Sequence, residues 1–133
     1  MYIHPKLAAF TQNLEALFHE VDEFLEEEWG GSFPLHPNRP ARGSTENPEM
    51  DGLFEIAPDF TAGIGSGGGR GYIISFRAAT LETINPAQFE FLMESAAALV
   101  AKKLPVYFPG RVLEVIRDGR RFKIVGDFSL GEA

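Results

Sequence analysis

The residues best suited to chemistry lie between Gly63 and Gly71, where Gly-Ile-Gly-Ser-Gly-Gly-Gly-Arg-Gly places six glycines in nine positions. Glycine tolerates positive φ and close backbone approach, so successive N–H groups here can form a concave anion nest. Arg70 adds a fork of donors that matches phosphate or carboxylate. Arg39, Arg42 and Arg77 stand in the preceding proline-rich stretch and the following strand, and a fold that gathers them would surround one acidic ligand. The candidate ligand-binding set is therefore Gly65, Ser66, Gly67, Gly68, Arg70, Arg77, Arg39 and Arg42. The bland alternative is a hairpin tip that only links two strands, with each arginine solvated or paired to Glu46, Glu49, Asp51, Glu55 or Asp59.

Other patterns carry less. Gly63, Gly65 and Gly68 satisfy G-x-G-x-x-G, but a dinucleotide site needs its glycines to open a helix, and Tyr72-Ile73-Ile74-Ser75-Phe76 reads as strand. A P-loop would need lysine where Gly69 stands, and a nucleophile elbow around Ser66 would need glycine where Ile64 stands. Glu15, His19, Glu23 and Glu26 have helical spacing that could reach a metal, yet His19 falls opposite the apolar stripe and the set reads as a solvated acidic face. His4 and His36 each precede a proline, and no serine, histidine and acid arrangement follows from order or spacing. No catalytic residue, metal site or cofactor is assigned.

The charge is unevenly spread. Residues 1–28 hold seven acids against Lys6 alone, and residues 102–123 hold seven bases against Glu114 and Asp118, within a net charge of −7. The overall sign disfavours nucleic acid, although Arg117, Arg120, Arg121 and Lys123 make a local basic patch near Tyr107 and Phe108. The acidic and basic arms can face each other within one molecule, across a self-association interface, or toward different partners. No cysteine is present, which removes disulfides, thiolate metal sites and cysteine nucleophiles. The sequence opens without a basic-then-apolar leader and holds no membrane-length apolar run, so a cytoplasmic address is expected, with no membrane role.

The elements that would position these groups are legible. With 133 residues, 44% hydrophobic and 23% charged, a single soluble domain spanning residues 1–133 is expected. Leu7, Phe10, Leu14, Leu17, Val21 and Phe24 recur at helical spacing from Pro5 to about Glu28, and the acids in the last turn oppose the helix dipole unless a cation sits nearby. Pro34, Pro37, Pro40 and Pro48 mark residues 30–51 as a long loop. Residues 52–57 and 59–64 read as two short strands, or one bent at Pro58, and 71–79 as a strand with Tyr72, Ile74, Phe76 and Ala78 on its core face. Asn85 and Pro86 open a second helix that Pro105 and Pro109-Gly110 close. Asp118-Gly119 reads as a two-residue turn pairing Val115 with Phe122 and Leu113 with Ile124 on an inward face; Ile116, Glu114 and Val112, paired with Arg121, Lys123 and Val125, form a mostly wet one.

The order α-ββ-α-ββ predicts an α+β two-layer sandwich, with two helices on one face of an antiparallel sheet of four to five strands. Twelve phenylalanines, with Trp29 beside a glycine-rich exit, leave apolar surface that a homo-oligomer would cover through helix 1 or a sheet edge. The preferred function is a non-catalytic binding domain for a small acidic ligand or a protein, self-associating, with its site at the glycine hairpin 63–71. One alternative is a small enzyme on an acidic or phosphorylated substrate, with the arginines as anion clamps and Asp51 or Asp59 as general acid or base. Another is a structural partner in a larger assembly.

Overall fold

A computed structural model of the chain contains α1 (Pro5–Trp29), β1 (Phe54–Thr61), β2 (Gly71–Ala78), α2 (Pro86–Tyr107), β3 (Leu113–Asp118) and β4 (Arg121–Gly126). Residues 5–31, 37, 39, 41, 43–45, 52–62, 69–80 and 84–126 are described, residues 5–7 by backbone alone. The strands form one antiparallel sheet in the order β1-β2-β4-β3, and both helices lie over one face. This is the α+β two-layer arrangement expected from the element order.

The apolar stripe of α1 is spent inside the molecule. Phe10, Leu14, Leu17, Phe18, Val21 and Leu25 are buried against Ile56, Ile74 and Phe76 of the sheet and Leu92, Ala96, Val100 and Leu104 of α2. The helices run antiparallel: the Phe10 ring lies 4.6 Å from that of Phe108, and the Trp29 ring meets Phe91 edge-on at 5.8 Å. Asn85 caps α2 by accepting from the Ala87 N–H at 2.8 Å. Pro105 does not close this helix. It lies inside the last turn, and the helix runs on until the Phe108 N–H bonds the Leu104 carbonyl. A proline there has no N–H for the Ala101 carbonyl, so one backbone bond is missing near the end of the helix while the next turn still closes.

β1 is one continuous strand, with Pro58 opposite Ile74. The terminal hairpin has a different register from the one the Asp-Gly signal implies. Its turn is Gly119-Arg120, closed by Asp118 opposite Arg121, so Val115 faces Ile124 and Arg117 faces Phe122. A type I′ turn on Asp118-Gly119 needs positive φ at both residues, whereas among the described residues only glycines have it; Gly119 is at +64°. Positive φ at the first turn position alone is the II′ geometry. The shift is by two residues, so every side chain keeps its face.

The face away from the helices is not simply wet. Lys123 is fully buried, and Val125 and Ile73 nearly so. Lys123 stands in mid-sheet, with Ile73 of β2 on one side and Ile116 of β3 on the other, so its aliphatic stem has apolar neighbours along both.

Candidate functional site

Thr61 of β1 stands opposite Gly71 of β2, so the glycine segment joins neighbouring antiparallel strands, and Tyr72–Ala78 lie in a strand. A helix-opening dinucleotide motif is therefore ruled out. Gly65, Ser66, Gly67 and Gly68 lie outside the described residues, as does Arg42. At the exit of the segment, Gly69 sits at φ +76° with open space around it, and the fully buried Lys123 donates from its Nζ to the Gly69 carbonyl. Arg70 is exposed. Gly71 is glycine for a structural reason: a Cβ there would collide with the backbone oxygen of Ile124, where β2 and β4 approach.

Arg39 and Arg77 do converge, but on a carboxylate of the chain itself. Glu55 and Arg77 are opposite each other in the β1–β2 register, with Arg77 Nε 3.3 Å from Glu55 Oε1. Arg39 Nη1 approaches Glu55 Oε2 at 3.5 Å, while its Nε donates to the Gly52 carbonyl at 3.0 Å and its Nη2 to the Phe54 carbonyl at 3.3 Å. Arg39 is mostly buried and Arg77 mostly exposed. This is the paired alternative for two of the four arginines, and it ties the proline-rich stretch to the start of β1.

Glu26 completes that junction from the other side. Its Oε1 accepts from the Leu53 N–H at 2.9 Å and its Oε2 from the Phe54 N–H at 3.3 Å. In the acidic last turn of α1, Glu26 thus meets backbone donors. Gly52 makes room at φ +76°; a Cβ there would sit 2.7 Å from Glu26 Oε1. Beside it, Glu23, Glu26, Glu27 and Gly30 line an open cleft of about 560 Å³. Higher on α1, Glu20 bonds Lys103 at 2.5 Å and accepts from the Tyr107 hydroxyl at 2.6 Å. Those two bonds hold the Glu20 carboxyl below the usual carboxylate range, and the Glu20 carboxylate pushes the Tyr107 hydroxyl up. Arg117 pairs with Glu90 at 2.5 Å and lies over the Phe122 ring at 4.8 Å. The basic arm is thus partly neutralised within the fold, through Lys103 and Arg117.

Lys123 and Glu26 are among the polar groups that sequence reasoning missed, as is the fully buried Asp22. For Lys123 the signal is slight: Phe122 and Ile124 make one side of the pleat apolar, and on the side of Lys123 only Val125 does so. For Glu26 nothing in helical periodicity distinguishes it from the acids around it.

Residues 5–126 match a protein family described as "Uncharacterised protein". The chain belongs to that family. The match starts with α1 and stops with β4, so the family's extent coincides with the six-element fold. The chain is also similar to an "Uncharacterized protein" of Borreliella burgdorferi, with 36% identity over 125 residues, covering 92% of this chain and 98% of the relative. No solved structure matches the chain.

Proposed function

We propose that this chain is a non-catalytic binding domain that self-associates and takes a small anionic ligand where the glycine segment returns to β2. The observation that carries the reading is the pair of cations at that exit: Lys123, buried with its ammonium on the Gly69 carbonyl, and Arg70, exposed one residue further on. Arg39 and Arg77 share Glu55, so among the described candidate arginines Arg70 is the one without an ion pair to the chain's own acids. A buried cation beneath glycine backbone and an exposed guanidinium beside it recognise a phosphate or carboxylate by charge and by the bidentate fork. Two other charge clusters, Glu20 with Lys103 and Tyr107, and Glu90 with Arg117, are paired within the fold and brace it.

Thermal unfolding in the presence of inorganic phosphate, nucleotides and organic acids tests the ligand. Binding to the folded state raises Tm with concentration. At least one of these anions is expected to do so for the wild type and to lose its effect in Arg70→Ala, whose Tm without ligand stays unchanged. No response to any of them, or an equal response in the variant, overturns the assignment.

A further inference from the structure

The two edges of the sheet are finished differently. In an antiparallel ladder every second residue turns its N–H and C=O away from its neighbour strand. The Ala79 N–H bonds the Leu53 carbonyl at 2.6 Å, so Leu53 faces β2, and Phe54, Ile56, Pro58 and Phe60 face outward. That outer edge is largely closed. Glu26 takes the Phe54 N–H, Arg39 takes the Phe54 carbonyl, and Pro58 has no N–H to offer. Proline and charged groups on an edge strand are the usual devices against pairing with another chain.

β3 has no proline and, among the described residues, no side chain caps its outward backbone groups, although it does carry the charged residues Glu114, Arg117 and Asp118. Asp118 and Arg121 flank a two-residue turn and therefore exchange hydrogen bonds, as do Ile116 with Lys123 and Glu114 with Val125. Leu113, Val115 and Arg117 consequently present their backbone groups to the outside, and among the described residues no other element bonds to them. Beside them Val112 is 80% exposed. The apolar stripe of α1, the other surface a dimer could use, is already buried in the core.

We propose that two copies of this chain join antiparallel through β3 about a twofold axis at Val115, making one eight-stranded sheet; this rests on the self-association in the preceding proposal and names its surface. The register is set by the residues themselves. Paired residues must share a face, so registers differ by steps of two. With the axis at Val115, the three outward residues match completely: Leu113 meets the partner's Arg117, and Val115 meets the partner's Val115. Between them Glu114 faces the partner's Ile116, and Val112 faces the partner's Asp118, so no like charges oppose. One step in one direction sets Glu114 against the partner's Glu114 and Arg111 against the partner's Arg117. One step in the other sets Glu114 against the partner's Asp118. Like charges directly opposite destabilise a strand pair.

Light scattering on the full chain, coupled to size exclusion, is the first test, with Val115→Pro as the variant. The Val115 N–H is not used by the β3–β4 ladder, so proline removes an outward donor while leaving that ladder intact. The wild type is expected to be a dimer and Val115→Pro a monomer with an unchanged circular dichroism spectrum. A monomeric wild type at millimolar concentration overturns both this proposal and the self-association it rests on. A dimer that survives in folded Val115→Pro overturns the β3 edge alone. Cross-linking decides the case in which that variant does not fold. Glu114 and the partner's Ile116 would form a non-hydrogen-bonded pair, with Cα atoms about 4.5 Å apart, within disulfide range. The chain has no cysteine of its own. Glu114→Cys/Ile116→Cys should form a covalent dimer on mild oxidation and Glu114→Cys alone should not; the opposite pattern, or no cross-link in either, overturns the register and the edge with it.

Discussion

The junction at Glu26 yields the most quantitative prediction. Replacing Glu26 by alanine leaves the N–H groups of Leu53 and Phe54 without acceptors, and both residues are almost completely buried. A buried donor stripped of its partner costs about 1–3 kcal/mol. The two bonds are only partly buried and the second is long at 3.3 Å, which places each toward the lower end of that range. The expected loss is therefore about 2–3 kcal/mol for the pair. At about 4 °C per kcal/mol for a chain of this size, Tm falls by about 8–12 °C. Glu26→Gln keeps one carbonyl oxygen to accept a bond and should lose about half as much. Urea denaturation followed by circular dichroism at neutral pH, with calorimetry for Tm, measures both variants. A loss below about 0.5 kcal/mol in Glu26→Ala, the range of ordinary surface changes, refutes the argument. Gly52→Ala adds a steric check, since its Cβ would press on the same carboxylate. Its cost should shrink in the Glu26→Ala background, and simple additivity of the two would contradict the geometry.

Further predictions come from the same reasoning. Gly71→Ala should destabilise by about 1–3 kcal/mol, through overlap with the Ile124 carbonyl rather than any lost ligand contact, as denaturant titration would register. Glu20 has a depressed folded pKa, so its contribution is present above the unfolded carboxylate value and lost as pH falls through the folded one. Glu20→Gln should flatten that acid limb by less than about 1 kcal/mol, given a side chain 40% exposed to screening solvent. Tyr107 has a raised folded pKa, so its contribution holds below the unfolded tyrosine value and fades as pH climbs through the folded one; Tyr107→Phe should remove this alkaline dependence from a Tm-versus-pH series. Lys123→Met keeps the buried stem and drops the ammonium, so its stability should lie within about 1.5 kcal/mol of wild type while the response of Tm to anions is lost.

Much of the architecture was legible because local signals agreed with one another. The stripe on α1, the Asn85-Pro86 start of α2 and the alternation of Tyr72, Ile74, Phe76 and Ala78 each specify an element and its buried face. The register of the last hairpin was not, because Asp118-Gly119 and Gly119-Arg120 can each form a two-residue turn and the shift between them preserves both faces. The candidate site was legible only in part. Arg39, Arg42, Arg70 and Arg77 are a possible cluster in the sequence, but no spacing demands that they converge, and sequence does not say that Arg39 and Arg77 meet on a carboxylate of the chain itself, Glu55. Contacts such as Glu26 to Leu53 and Lys123 to Gly69 join residues 27 and 54 positions apart, and no local spacing encodes them.

The proposed ligand site is tested most directly by a ¹H–¹⁵N correlation titration of the folded chain with the anion that most raises its Tm. The account predicts saturable shifts concentrated at Gly69, Arg70, Gly71 and Lys123. Shifts confined to the Arg39–Glu55–Arg77 cluster or the α1 acidic cleft, or none that saturate, would contradict it.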